Sequence, residues 1–164
     1  MSLLLLMMVS IHGTFGQPTW KAVYGAFSVE EAWDAVATPD GGVVVVGSTG
    51  SFGGGSSDIY LFKVDGYGTR LWSRTIGGPQ IENANAISLM PDGGFLIAGS
   101  TNSTFQNGYD GLVVRTDQNG EVIWQRSYGG ADWEFLNGAS VDAVGNSWLV
   151  GRTYGEDQED EHGC

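Results

Sequence analysis

Short apolar runs separated by glycine, asparagine, aspartate and proline set the rhythm of this chain. Over residues 72–124 the pattern predicts strands at 72–76, 84–90, 94–100 and 112–116, with 121–124 leading into a further one. Phe95, Leu96, Ile97 and Ala98 are consecutive and apolar, as in a strand covered on both faces rather than on one. Pro91 presets φ for a tight turn, and Gly93 and Gly94 behind it tolerate the positive φ of a chain reversal. Asn119-Gly120, after Asp117, is a second hairpin signal. No helical period competes over this stretch.

The same unit recurs along the chain. Trp20, Trp72 and Trp124 stand 52 residues apart. In that register Pro39-Asp40-Gly41-Gly42 returns as Pro91-Asp92-Gly93-Gly94, and Gly47, Gly99 and Gly151 are followed by Thr49, Thr101 and Thr153. Asp58 matches Asp110, Asp65 matches Asp117, and Gly68 matches Gly120. Self-similarity at a fixed period of this length marks an array of supersecondary units. Four strands per unit, with an aromatic and glycines at fixed places, is the pattern of a β-propeller blade. The expected division is blade repeats at 17–71 and 72–123, a partial repeat at 124–155 and an acidic, disordered tail at 156–164. In the first copy, residues 27–33 read as a longer loop entering a strand at 34–37, and the Gly/Ser-rich stretch 51–57 as a loop before a strand at 59–64. In the third, a strand at 147–151 is followed by no fourth-strand pattern after Thr153. Propellers close with about four to eight blades. Fewer than three units therefore imply a fragmentary array, or copies that self-associate to complete one.

The signature W-x3-[YI]-G-G, PDGG-x4-[GA]-G-S-T and D-x2-G-x2-x-W, read over residues 20–155, resembles the secreted bacterial β-propeller repeat family. The resemblance implies an all-β fold of four-stranded antiparallel blades and a place among large cell-surface proteins. It implies no catalytic motif, because function must be argued from sites rather than from the fold. D-x2-G-x2-x-W also resembles the blade repeat of quinoprotein dehydrogenases, which would imply a central funnel holding a quinone cofactor with calcium.

Other features bear on compartment and chemistry. The apolar run from Leu3 to Val9 has the length of a signal-peptide core, so residues 1–16 are expected to be removed ahead of Gln17. That makes the protein secreted or surface-displayed; the alternative is a buried N-terminal strand. The run is too short for a membrane span. A formal net charge of −12 disfavours nucleic acid and anionic membranes as partners. With Cys164 as the one cysteine, no intrachain disulfide forms.

Catalytic candidates are few. The histidines, His12 and His162, lie in the presumptive leader and the tail, so no Ser-His-Asp or zinc constellation has a base or ligand in the repeats. Asp58 and Asp110, and Asp132 with Glu134, are the carboxylates available for glycosidase-type chemistry, which needs two acids facing each other across a pocket. Repeat-equivalent acids more often cap turns. Asp117-x-Asn119 departs from the calcium-loop spacing. Trp72 and Trp124 read as packing between repeats, whereas Trp33 and Trp133 fall outside the period, in loops. The candidate recognition residues are therefore Trp33, Trp133, Asp58 and Asp110, since exposed aromatics are frequent binding anchors. The expected function is a secreted, noncatalytic scaffold binding protein or carbohydrate, without cofactor or metal.

Overall fold

In the computed structural model, residues 4–8, 20–103, 108–130 and 132–155 are described, and the fold they form is all-β with no helix. The expected cleavage point ahead of Gln17 and the acidic tail at 156–164 lie outside the described residues. Twelve strands run in chain order: β1 (Leu4–Met8), β2 (Trp20–Tyr24), β3 (Glu30–Ala37), β4 (Val43–Thr49), β5 (Asp58–Val64), β6 (Arg70–Ile76), β7 (Glu82–Leu89), β8 (Phe95–Thr101), β9 (Asp110–Thr116), β10 (Val122–Tyr128), β11 (Trp133–Val141) and β12 (Ser147–Tyr154). They form antiparallel sheets of two, four, four and two strands: β1-β2, β3-β4-β5-β6, β7-β8-β9-β10 and β11-β12. No sheet closes on itself.

The sheets are cut out of phase with the tryptophan period. Trp72, at the head of its sequence unit, lies on β6, the fourth strand of one sheet; Trp124 lies on β10, the fourth strand of the next. Trp20, in the same register, lies on β2. The chain thus opens with the outer pair of one sheet and finishes with the inner pair of another. The last sheet has two strands, where the sequence pattern led us to expect the lack of one. Leu4–Met8 is paired with β2, from Leu4 opposite Tyr24 to Met8 opposite Trp20.

Each middle strand has two buried faces, as expected for Phe95 to Ala98. All seven residues of β4, of β8 and of β9 are buried. Val44, Val46, Ile59 and Leu61 of the first four-stranded sheet pack with Phe95, Ile97, Leu112 and Val114 of the second. The opposite face, Val43, Val45, Tyr60, Phe62 and Val64, packs with Tyr24, Trp20 and Ala22 of β2. Period-2 alternation sends odd and even residues to different neighbours, so each sheet is held by the sheets before and after it.

The repeated tryptophans fasten these seams on their outer side. Trp72 lies against Gly120, in the turn between β9 and β10, where a Cβ would press on its ring. Trp20 lies likewise on Gly68, in the turn between β5 and β6, and its indole N–H donates to the Gly66 carbonyl at 2.9 Å. Both glycines have positive φ, 82° at Gly68 and 78° at Gly120, so they serve the turn and the contact together. The recurrent Gly47 and Gly99 answer a different demand. A Cβ there would collide with the carbonyl of Glu31 or Asn83 on the neighbouring inner strand, where a β-bulge crowds the backbone.

Aspartates clip the hairpins. Asp65 accepts the backbone N–H of Tyr67 at 2.9 Å and Thr69 at 2.8 Å, and Asp117 accepts those of Asn119 at 2.8 Å and Glu121 at 2.9 Å. Asp142 does the same for Val144 and Asn146 in the altered third-copy turn. Asp40 and Asp92 of the PDGG turns each meet a cation on the third strand, Lys63 at 2.5 Å and Arg115 at 2.5 Å. The Lys63 and Thr38 hydrogen bonds hold Asp40 down to about 2, and backbone N–H groups, at Thr69 for Asp65 and Glu121 for Asp117, hold those two carboxyls below the usual range.

Two predictions follow from this packing. Gly99→Ala is expected to cost about 1–3 kcal/mol, the range for overpacking a filled site. Gly130→Ala, whose Cβ has nothing within 4 Å, is expected to be near neutral. Urea midpoints of the two variants are the check. The second concerns acid. Carboxyls that titrate lower folded than unfolded stabilise above the unfolded value, and that stability is lost as pH falls through the folded one. The urea midpoint should drop between about pH 4 and about pH 2, the window bracketed by the ordinary aspartate value and the lowered Asp40. Asp65→Asn with Asp117→Asn should flatten that drop.

Candidate functional site

The inner strand of every sheet carries a β-bulge at the same place. Register shifts fall between Ala32 and Asp34 on β3, Ala84 and Ala86 on β7, and Leu136 and Gly138 on β11. The extra residues are Trp33, Asn85 and Asn137, again 52 apart. A bulge leaves one residue outside the ladder and re-aims its side chain. All three line one groove of about 450 Å³, together with Glu31, Asn83, Ser100, Phe135 and Arg152.

The groove has firm walls and mixed chemistry. The Asn85 amide N–H donates to the Leu136 carbonyl at 2.8 Å, which fixes the amide at the seam between the second and third sheets. Asp34 Oδ2 accepts the Ile87 N–H at 2.9 Å and ties the first inner strand to the second. Trp33 is 56 % exposed, so most of its indole faces solvent at the groove. The Arg152 guanidinium lies 5.2 Å from the ring centre of Phe135 and 5.2 Å from that of Tyr154, stacked where its donors stay accessible. One aromatic face, three amides, a carboxylate and a guanidinium thus meet in a single concave surface.

The four recognition candidates from the sequence separate in the structure. Trp33 is in the groove, but on strand β3 rather than in a loop: the strand begins at Glu30, and the bulge hides its alternation. Trp133 opens β11 and joins an aromatic cluster, 5.4 Å from Tyr109 and 6.4 Å from Phe135 between ring centres. Asp58 and Asp110 are buried and offer nothing to a ligand at the rim. Asp58 Oδ2 accepts the Gly55 N–H at 3.1 Å, so the Gly/Ser-rich loop is folded over its carboxylate.

A second series of acids, at 30, 82 and 134, shares the period and was not singled out from the sequence beyond Glu134 itself. Thr49, Thr101 and Thr153 donate to Glu30, Glu82 and Glu134 through Oγ1, at 3.2, 2.7 and 3.3 Å. The other carboxylate oxygen accepts the N–H of Ala26, Gly78 or Gly130, at 3.1, 2.5 and 3.3 Å. Gly77 lies between the carboxylates of Asp58 and Glu82, and Gly129 between those of Asp110 and Glu134, with no room for a Cβ. The double glycine of the signature is thereby explained, as is the threonine two residues after Gly47, Gly99 and Gly151. The equal spacing of the three glutamates was the signal for this series. Asn83 and Arg152 carried no such signal.

Among the described residues, no three His, Cys, Asp or Glu side chains gather into a metal-ligating group. No helix there is long and apolar enough to cross a membrane. No protein-family model matches the chain, and a search of curated proteins finds no relative.

The glutamate series is expected to be structural. Glu82→Ala would strand the Thr101 hydroxyl and the Gly78 N–H in a buried site, at about 1–3 kcal/mol. Glu82→Gln, which keeps an acceptor for each, should lose less. Thermal unfolding of the two variants checks the order.

Proposed function

We propose that the four-stranded sheets are blades of a β-propeller-type array, and that the chain is a noncatalytic scaffold whose inner groove takes carbohydrate. The blade reading is supported by the 52-residue period, the two-faced burial of the middle strands and the face-to-face stacking of consecutive sheets. The observation that carries the binding reading is the recurrent bulge, which places Trp33, Asn85 and Asn137 in one groove.

The chemistry favours a sugar. An exposed indole offers a flat apolar face to the C–H side of a pyranose. The amides of Asn83, Asn85 and Asn137 each present a donor and an acceptor to hydroxyls, and Glu31 and Arg152 add one charged acceptor and one planar donor. A protein ligand would instead seek a larger apolar centre. The repeated residues support the noncatalytic reading. Trp72, Gly77, Gly93, Gly99, Thr101, Asp110 and Asp117 all have structural partners, and variation is concentrated in the groove, where Trp33 stands for Asn85 and Glu31 for Asn83.

The test is a glycan array followed by calorimetry on the hits. Trp33→Ala is expected to weaken binding at least about ten-fold, 1.4 kcal/mol per decade, with an unchanged melting temperature. Binding that survives Trp33→Ala and Asn85→Ala would move the site away from the groove. Turnover of an alcohol or sugar on adding a quinone would replace the scaffold reading with an enzymatic one.

A further inference from the structure

The two ends of the chain carry complementary halves of one sheet. By the 52-residue register, β2 corresponds to β6 and β10, the fourth strands of the complete sheets. Paired with it, β1 stands where a third strand stands. At the other end, β11 and β12 correspond to β7 and β8, the first and second strands. The outer edge of β12 pairs with no strand among the described residues, nor does the outer edge of β1.

The faces around the last pair are those of a seam left uncovered. Val44 and Val46 of β4 are 0 % exposed, and their equivalents Leu96 and Ala98 of β8 are 3 % and 0 %, each set covered by the following sheet. The next equivalents, Trp148 and Val150 of β12, are 56 % and 65 % exposed. The tryptophan lock shows the same gap. Trp20 and Trp72 rest on turn glycines of the following sheet, whereas all of β10, including Trp124, is exposed. In sequence, Gly16 stands 52 residues before Gly68 and 104 before Gly120, the place of a lock glycine.

We propose that a second copy of this chain completes the last sheet, its β1-β2 pair adding to β12 to give the order β11-β12-β1-β2 across the junction. This rests on reading the sheets as blades. Strand directions agree: β1 runs antiparallel to β2, as β9 does to β10. The joined pair covers β10 and its Trp124, and Trp148 and Val150 then face the first four-stranded sheet of the incoming copy. Each copy so contributes the equivalent of three sheets, and two copies total six, within the about four to eight of closed propellers. The contact is head-to-tail, so it forms a ring where the rotation closes and an open filament where it does not. It requires residues 4–8 in the mature chain and is incompatible with removal of residues 1–16.

Light scattering on size-exclusion fractions of the full 1–164 chain is the first measurement, with intact mass to define its N-terminus. About twice the monomer mass, or a filament, is expected. A folded monomer at micromolar concentration, or a mature chain starting at Gln17, overturns the inference. Two variants fix the polarity. Val150→Glu blocks the tail face and Leu6→Pro breaks the head strand; each alone should be a monomer with unchanged circular dichroism. Their mixture should give a single-junction dimer, because each retains the end the other lacks. Dimers from Leu6→Pro alone would mean tail-to-tail contact and reject the proposal. A monomer that still binds sugar through Trp33 would reject this assembly while leaving the binding reading in place.

Discussion

Everything in this structure depends on sheets that cannot stand alone. With apolar side chains alternating to both faces of β4, β5, β8 and β9, an isolated sheet would leave two greasy surfaces in water. Burial is worth about 25 cal/mol per Å² of apolar surface, so the stable unit is the stack rather than the sheet. The tryptophan seated on a turn glycine sets the spacing of that stack on its outer side. The carboxylate pairs around Gly77 and Gly129 set it near the loop ends. Neither device is local to one sheet, since each joins residues from consecutive sheets. A 52-residue period in the sequence is thus a period of interfaces as much as of hairpins.

Much of this architecture was legible in the sequence, for a physical reason. Strand propensity, proline and glycine turn chemistry and the uninterrupted apolar run at Phe95 to Ala98 are local properties, and the structure keeps them. The frame of the sheets was less accessible. A repeat has no intrinsic start, and nothing in the spacing of Trp20, Trp72 and Trp124 says whether the tryptophan strand opens a sheet or finishes one. Hydrogen bonding across β5-β6 and β9-β10 decides that it finishes one.

The candidate site was legible in part. Trp33 drew notice as an aromatic outside the period, yet its placement in a loop came from a broken alternation that proved to be a bulge. Asp58 and Asp110 drew notice as recurrent acids, and recurrence was the better guide to their role: each is buried at an inter-sheet seam, beside a glycine. The groove partners Asn83 and Arg152 come from different sheets and are brought together by stacking alone.

The bulge has a consequence for how such a surface changes. Its side chain lies outside the ladder, so its identity is free of the register that holds the strand. Trp33 and Asn85 already occupy equivalent places with unlike chemistry, while Gly47 and Gly99 opposite them stay the same. The inner groove therefore works as a row of interchangeable letters, one per sheet, printed on a backbone that is indifferent to the text. Duplicating a unit would add a letter, and a single substitution would rewrite one, with the locks and clips left untouched.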